Sequence, residues 1–350
     1  MWTLTVHVLA LTAWVQLVPS RKPIDQRNLP PRLLCADPHR DKSVPAVTVA
    51  AAAATIQRLL ADQESMEQIG TALECTIVGR AGSGHYGSVL LATSNYDGSE
   101  LAIKLAPHPS ETLEIEAAVL TALQEERGFP RMRRHVAAVG GSCMDALVMD
   151  RLGPSLHDTW EAQTAATQLA GPLVLRVGSG ILRCLRRLHA AGFVHNDIKP
   201  ANVLMGAANS EHESEMHIID FGLATGVDNA VGLGARGTPL FASAAAHSGS
   251  PTRPVHDVES LVYCLAYLAA GTLPWERKPA RRAAFIKRKM LSDGCSTLLD
   301  SCASERLTED VHARETADAL QFLWQEVVAA QEPGTELDYE ACLAHLSGES

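Results

Sequence analysis

The sequence lacks the cysteine patterns of zinc sites and redox-active dithiols. Its eight cysteines are scattered and none forms a C-x-x-C pair, so neither a zinc knuckle nor a redox motif is expected. Cys184 and Cys264 lie inside apolar stretches and are predicted to be buried thiols. The chain also lacks an Asn-x-Ser/Thr sequon. These absences favour a reducing compartment, and we expect a cytoplasmic or nuclear protein.

An excess of positive charge is also absent. The chain has 30 lysine and arginine residues against 40 aspartate and glutamate residues, a formal net charge of -10 at pH 7. This balance argues against general affinity for nucleic acid or for an anionic membrane. One basic run, "ERKPARRAAFIKRKM" at 276–290, departs from the acidic background.

No apolar run is long enough to be an obvious membrane span. Residues 1–18, "MWTLTVHVLALTAWVQLV", are apolar but short for that purpose. They lack a basic start and an A-x-A cleavage site, so they make a poor signal peptide. We interpret residues 1–18 either as a targeting or anchor segment or as an extension that packs on the following domain or stays loose.

Local composition divides the rest of the chain. Residues 19–69 begin with a linker rich in proline and arginine and end in an Ala-rich stretch with helical spacing. Three short β-prone runs with Gly-rich turns follow, and "YDGS" is a good hairpin turn between two of them. Beyond residue 110 the apolar residues recur at helical spacing. We therefore expect an α+β fold with a small β-rich part followed by a larger helical part.

The stretch "GSGHYG" at 82–87 is a G-x-G-x-x-G motif. This pattern alone is weak, because it also occurs in Rossmann turns. In a Rossmann fold a helix follows the glycines, whereas here the β-prone run "SVLLAT" follows. The motif therefore predicts a strand–turn–strand whose backbone amides close over phosphates, and glycine is needed because a Cβ would block that approach.

A lysine and a glutamate follow on the next two predicted elements. Lys104 ends the apolar run "LAIK", so its ammonium would emerge beneath the glycine loop and could pair with phosphates, unless it is a surface lysine at a strand end. The helix "ETLEIEAAVLTAL" carries two carboxylates, Glu114 and Glu116, either of which could hold Lys104 in place.

The stretch "HNDIKPANVL" has the spacing of a phosphoryl-transfer loop. Asp197 can orient an attacking hydroxyl or accept its proton, and Lys199 can neutralise charge on the transferred phosphate. Asn202 offers an amide oxygen to Mg²⁺. Asp220, at the end of the β-prone run in "MHIIDFGLA", offers a carboxylate to the same ion.

Five features follow one another along the chain: the glycine loop, the strand lysine, the helix glutamate, the D-x-K-x-x-N motif and the D-F-G motif. In this order they form a highly specific combination. The chain resembles a eukaryotic protein kinase and, within that superfamily, the casein kinase 1 family. "LVMDRLGPSLHD" resembles that family's hinge, and "GTPLFAS" stands where it has a variant of the usual A-P-E segment. "HDVESLVYCLAYLAAGTLPW" and "ELDYEACLAHL" resemble its αF helix and its last helix. The resemblance covers about residues 70–346 and implies a bilobal kinase fold with ATP in the cleft.

The resemblance also implies roles for individual residues. "IEAAVLTALQEERGFP" matches the family's αC pattern and selects Glu116 as the partner of Lys104. Met149 would be the gatekeeper and Asp257 the αF aspartate that braces the catalytic loop. ATP and Mg²⁺ would be the cofactors. The residues implied in nucleotide binding are Ala81, Gly82, Ser83, Gly84, Gly87, Val89, Ala102, Lys104, Glu116, Met149, Asp150, Leu152 and Leu204.

Two histidine-containing stretches are expected to be structural. "EHESEMH" contains His212, His217 and several carboxylates, but it falls where kinases have a β-hairpin, which favours a solvated loop over a metal site. In the resembling family a histidine at the position of His195 braces the catalytic loop.

Asn196 stands where many kinases carry an arginine that pairs with a phosphate on the activation segment. The segment here reads "DFGLATGVDNAVGLGARGTPLFAS" and contains no Ser, Thr or Tyr between Thr225 and Thr238. The absence of the arginine and the absence of a phosphate acceptor explain each other, because an arginine has nothing to bind where no phosphate forms. The resembling family is generally active without such a phosphate.

The groups that would contact ATP, Mg²⁺ and the attacking hydroxyl are all present. We therefore expect an active, non-specific serine/threonine protein kinase. The alternative is a pseudokinase-like module that binds nucleotide or a partner without turnover. A small-molecule kinase is disfavoured by "DIKPAN", whose lysine is typical of serine/threonine protein kinases.

Charge in the substrate region predicts acidic protein substrates. Separately, we expect a monomeric enzyme. The resembling family uses a basic residue just after the "GT" of "GTPLFAS", where this chain has Leu240, and Arg236 could replace it in part. Arg281, Arg282 and Lys287 in the basic run would create a positive field, unless they only form a solvated helix face.

Overall fold

The computed structural model describes residues 56, 60–84, 87–162, 171–229, 232, 234–295, 298, 311–332 and 334–347. The apolar segment 1–18 and the linker after it lie outside the described residues. The first described helix, α1 (Gln63–Ala72), overlaps the end of the predicted Ala-rich helix. It begins at Asp62, whose carboxylate accepts a hydrogen bond from the amide of Ser65 and so caps the helix.

Five antiparallel strands form a sheet in the order β1-β2-β3-β5-β4. They are β1 (Cys75–Gly84), β2 (Gly87–Ser94), β3 (Glu100–Pro107), β4 (Met132–Val136) and β5 (Met144–Asp150). The predicted hairpin turn "YDGS" lies between β2 and β3. Helix α2 (Glu111–Ala122) follows β3, and Ser110 caps it by accepting a hydrogen bond from the amide of Leu113.

The remainder of the described chain is mainly helical, as the apolar periodicity predicted. The helices are α3 (Leu156–Ala162), α4 (Gly171–Ala190), α5 (Ala244–Ser248), α6 (Pro254–Ala270), α7 (Ala280–Asp293), α8 (Val311–Ala329) and α9 (Tyr339–Ser347). Short strands pair between them: β6 (Phe193–Val194) with β9 (Thr225–Gly226), and β7 (Val203–Met205) with β8 (Met216–Ile218). The "EHESEMH" stretch lies mostly in the turn of the β7–β8 hairpin, as expected.

The apolar core forms two clusters that follow the two parts of the fold. The smaller cluster lies between the sheet and α1. The larger cluster joins α2 to the helical part, where α6 is buried along most of its length and packs against α4 and α8. Cys184 and Cys264 lie in the larger cluster and are buried, which confirms their prediction. The sheet, α2 and the catalytic loop therefore converge on the space between the two parts.

None of the helices in the described residues is both long and apolar enough to cross a membrane.

Candidate active site

The glycine motif lies at the end of the first hairpin. Gly82 pairs with Val89, Ser83 with Ser88 and Gly84 with Gly87 across β1 and β2. A strand rather than a helix follows the glycines, which confirms the predicted strand–turn–strand and excludes a Rossmann turn. Ala81 is exposed in β1 just before the motif.

Lys104 lies between two carboxylates beneath this hairpin. It is opposite Val89 in the β2–β3 register. Its Nζ is 2.6 Å from Oε2 of Glu116 in α2 and 2.6 Å from Oδ1 of Asp220. Glu116 is buried, whereas the competing Glu114 is exposed. The predicted ion pair between Lys104 and Glu116 is therefore present, and Asp220 extends it to the helical part of the fold.

Burial and charge act against each other in this cluster. Burial by itself would lower the pKa of Lys104, but the carboxylates of Glu116 and Asp220 outweigh burial and raise that pKa. Burial raises the pKa of Glu116 even though Lys104 acts against the change. The pKa of Asp220, which burial would also raise, is lowered mainly by Lys104. The lysine is thus held as a cation, and Asp220 as an anion.

Asp197 is the centre of a second cluster, on the loop after β6. Its Oδ2 accepts a hydrogen bond from Nζ of Lys199 at 2.7 Å. Its Oδ1 accepts hydrogen bonds from the amide and the hydroxyl of Thr238, both at 2.8 Å. Lys199 also donates to the Thr238 hydroxyl at 3.1 Å. Sequence reasoning assigned no role to Thr238 in this cluster, although the "GT" of "GTPLFAS" was the available signal.

Asn202 and Asp220 supply an oxygen donor set that fits Mg²⁺. Nδ2 of Asn202 donates to the carbonyl of Asp197 at 2.9 Å, an orientation that leaves the amide oxygen for a cation. Asp220 uses Oδ1 for Lys104, so its Oδ2 remains for a metal ion. Carboxylate and amide oxygens are the ligands that Mg²⁺ prefers. These two residues would hold the ion, and the positive charge it supplies would act on the phosphates.

The other residues implied in nucleotide binding line up along the hinge. Ala102 of β3 is opposite Met149 of β5 in the sheet, and Asp150 ends that strand. Leu152 follows in the segment that leads to α3 and is partly buried. Leu204 of β7 forms an isolated bridge with Ser155 of the same segment. The pairing of Ala102 with Met149 and the bridge between Leu204 and Ser155 thus bring β3, the hinge and β7 together.

Asp257 of α6 binds the backbone of the catalytic loop, as the resemblance implied. Its Oδ2 accepts a hydrogen bond from the amide of His195 at 2.6 Å, and its Oδ1 accepts one from the amide of Asn196 at 2.9 Å. Nε2 of His189 lies 2.9 Å from Oδ2, and Nδ1 of that ring lies 2.5 Å from the hydroxyl of Tyr339. Burial by itself would raise the pKa of Asp257, but His189 and the peptide donors lower it. Sequence reasoning missed His189 and Tyr339, which meet only in the fold.

The His195 ring is structural, as expected. Its Nε2 lies 3.0 Å from the carbonyl of Ile219, and its Nδ1 accepts a hydrogen bond from the amide of Asp197 at 3.2 Å. The ring also packs on Phe221, with 5.0 Å between the ring centroids. The histidine therefore joins the catalytic loop to the D-F-G segment.

Asn196 stands where an arginine was expected and forms hydrogen bonds to uncharged groups. Its backbone is left-handed, with φ of 70°, a conformation that asparagine adopts more readily than most residues. Its Nδ2 donates to the carbonyl of Leu223 at 2.9 Å and to the hydroxyl of Thr225 at 3.0 Å. Its Oδ1 accepts a hydrogen bond from the Thr252 hydroxyl. Asn196 thus binds the activation segment directly, without a phosphate.

The predicted surface role of Lys287 is wrong. Along α7 the positions Ala283, Ala284, Lys287 and Met290 recur at helical spacing and form the buried face. Lys287 therefore points into the protein, has no exposed surface, and cannot contribute to a positive field at the surface. The side chains of Arg281 and Arg282 are exposed on the same helix.

A β-rich part, a helical part and a lysine–carboxylate cluster between them define a phosphotransferase. The family described as "Protein kinase domain" matches residues 75–325 of this chain. The match covers more than half of the chain and lies within the range 70–346 that the sequence predicted. The chain belongs to the protein kinase domain family, whose members generally use ATP and Mg²⁺.

Proposed function

We propose that this protein is a serine/threonine protein kinase of the casein kinase 1 type, which transfers the γ-phosphate of ATP to hydroxyl groups of acidic protein substrates. The observation that carries the proposal is the contact between Lys199, Asp197 and Thr238. Lys199 donates to both of the other side chains, and Thr238 donates twice to Asp197. A lysine two residues after the catalytic aspartate is typical of serine/threonine protein kinases, and here it is tied to the segment beside the substrate.

Each of these contacts has a place in the proposed reaction. Lys104, fixed by Glu116, would bind the phosphates of ATP. Asp197 would align the substrate hydroxyl and take its proton as the oxygen attacks the γ-phosphorus and the bond to the bridging oxygen of ADP breaks. Lys199 would stabilise charge on the transferred group. Positioning and electrostatics account for most of the acceleration in such a site.

The first experiment compares peptides that differ in the acceptor and in charge. We expect labelled phosphate to pass from ATP to serine and threonine peptides and to casein, but not to matched tyrosine peptides. Among serine peptides we expect acidic ones to have a higher kcat/KM than neutral ones at low salt. Prior phosphorylation of the peptide should add little, because Leu240 offers no donor to a phosphate.

Salt and a surface variant give the controls. The Debye length is about 8 Å at physiological ionic strength, so the preference for acidic peptides should shrink as salt rises. The double variant Arg281→Ala/Arg282→Ala should lose the preference while retaining transfer to neutral peptides. Equal rates for acidic, neutral and phosphorylated peptides would contradict the substrate proposal. Nucleotide binding with no transfer to any peptide would favour a pseudokinase-like module instead.

The surroundings of the hydroxyl groups in the activation segment support the proposal that the protein is active without phosphorylation. Residues 220–243 contain only three Ser, Thr or Tyr residues. Thr225 is buried against Asn196, and Thr238 is bound to Asp197. Ser243 is buried and caps α5 by accepting a hydrogen bond from the amide of Ala246 at 3.1 Å. Each hydroxyl therefore already has an internal partner.

We expect phosphatase treatment to leave the activity of the purified protein unchanged. The physical reason is that Asn196 orders the segment through hydrogen bonds that need no phosphate. The measurement is kcat/KM for a serine peptide before and after treatment, with mass spectrometry of the treated protein. A large loss of activity on dephosphorylation would show that a regulatory phosphate exists, and Thr225 and Thr238 would then be examined first.

A further inference from the structure

Lys287 is fully buried in the middle of α7. The neighbouring basic residues Arg281, Arg282, Arg288 and Lys289 are all exposed on the same helix. A buried ammonium group is tolerated only where its charge and its hydrogen-bond donors are satisfied. The environment of Lys287 therefore indicates what the side chain is there to do.

Three peptide carbonyls surround the Lys287 ammonium group. Nζ donates to the carbonyl oxygens of Pro239 at 3.0 Å, Leu240 at 3.0 Å and Ala242 at 2.7 Å. An ammonium has three donors and no acceptor, so its donors match these three acceptors in number. A fourth polar atom, Nε2 of His247, lies 3.4 Å away.

Aromatic rings complete the site. Nζ lies 4.7 Å from the ring centroid of Tyr263 and 4.9 Å from that of Trp275, distances at which a cation is attracted to a π face. Burial lowers the pKa of Lys287 to about 7, and the Glu259 carboxylate acts against that change. The carbonyls and rings also favour the charged form, so we take the ammonium as the form that the site is built to hold.

The carbonyls belong to the segment that follows the catalytic cluster. Thr238, which is bound to Asp197, directly precedes Pro239 in the chain. The segment is also held by Trp275, whose indole N–H donates to the Leu240 carbonyl at 2.8 Å. At its far end Glu259 accepts a hydrogen bond from the amide of Ala244 at 2.7 Å. Lys287 is the group that binds three carbonyls of the segment at once.

We propose that Lys287 is a positioning residue for the protein substrate, and that it acts by fixing the backbone of residues 239–242. This segment directly follows Thr238 and would lie beside the substrate residues that follow the acceptor hydroxyl. Because Lys287 holds the carbonyls toward α7, the opposite face of the segment keeps a single conformation. The incoming peptide would bind against that face. The inference rests on the proposed protein kinase function and specifies how that function selects its substrate.

The test is Lys287→Met, which keeps the unbranched shape and most of the length of the side chain and removes all three donors. We expect the KM for a neutral serine peptide to rise about tenfold, because three carbonyls lose their partner. The KM for ATP should stay within about twofold of wild type, because the change affects the backbone beside the peptide and leaves the groups that would bind the nucleotide in place. Both are measured by steady-state kinetics at one pH, after thermal unfolding has shown that the variant is folded.

Lys289→Met is the matched control, because Lys289 is an exposed lysine on the same helix and its neutralisation should leave both KM values unchanged. A peptide KM for Lys287→Met equal to that of wild type would overturn the proposal. So would a parallel rise in the KM for ATP, which would indicate general loosening of the fold.

A second variant covers the case in which Lys287→Met does not fold. Trp275→Phe keeps an aromatic ring beside Lys287 and removes the indole donor to Leu240. Because this donor holds the same backbone, we expect about a threefold rise in the peptide KM with the KM for ATP unchanged. An unchanged peptide KM would show that peptide binding does not depend on how residues 239–242 are held, and this would overturn the proposal. Failure of the wild-type protein to phosphorylate any peptide would instead refute the proposed function on which the inference rests.

Discussion

Asp197→Asn is expected to lower kcat for peptide phosphorylation by a factor of about 10² to 10⁴, the usual contribution of a positioned base. The amide has nearly the same shape but cannot take the proton of the substrate hydroxyl. Because the amide oxygen can still accept hydrogen bonds from Thr238, the free energy of unfolding should change by no more than about 2 kcal/mol. Initial rates with a serine peptide and chemical denaturation measure the two quantities.

Asp228→Asn is the matched control for this variant. Asp228 is an exposed carboxylate of the activation segment and has no place in the proposed reaction. We expect it to retain wild-type activity and stability. Near wild-type turnover by Asp197→Asn would show that the catalytic assignment is wrong.

Lys104→Met is expected to abolish transfer and also to destabilise the protein. The reason for the loss of stability is that Lys104 is buried between Glu116 and Asp220. Removing the cation leaves two carboxylates without their partner, which costs about 3 kcal/mol in buried ion pairs. Chemical denaturation at pH 8 and a peptide phosphorylation assay give the two readouts.

The loss of stability in Lys104→Met should depend on pH. Burial raises the pKa of Glu116 even in the wild-type protein, and without Lys104 the rise should be larger. A carboxyl group whose pKa is higher in the folded state contributes stability at low pH that is lost as pH rises through that pKa. The stability deficit of Lys104→Met relative to wild type should therefore be smaller at pH 5 than at pH 8.

Lys104→Arg separates the two effects of Lys104. It keeps the positive charge but presents a planar guanidinium in place of a compact ammonium. We expect it to retain more stability than Lys104→Met while remaining poorly active. If Lys104→Met were as stable as wild type at both pH values, the buried ion pairs would not contribute to the fold.

Much of the fold and of the candidate site could be predicted from the sequence. The order of motifs identified Lys104, Asp197 and Asp220 as one site, and the β-prone run after the glycines distinguished a strand–turn–strand from a Rossmann turn. Helical spacing beyond residue 110 predicted the mainly helical second part of the fold. These features could be read because each depends on residues that are close together in the chain.

The sequence could not show which side chains meet across the fold. Lys287 was expected on the surface because it lies in a run of basic residues. The helix places it on the buried face, against carbonyls that lie more than 40 residues earlier in the chain. The sequence did contain a sign that Lys287 is buried, because it shares one helix face with Ala283, Ala284 and Met290. A lysine on an apolar face is explained, however, only once its hydrogen-bond acceptors are known.

By itself, the sequence determined the class of fold and the order of its elements, and it supplied the candidates for the reacting groups, because local spacing and turn chemistry are sufficient for these. Only the tertiary structure decided how the groups are held. Lys104 meets Asp220 across 116 residues, Asn196 meets Thr252 across 56, and His189 meets Tyr339 across 150. Such hydrogen bonds depend on the path of the whole chain, which brings distant polar groups within 3 Å of one another and excludes water from between them.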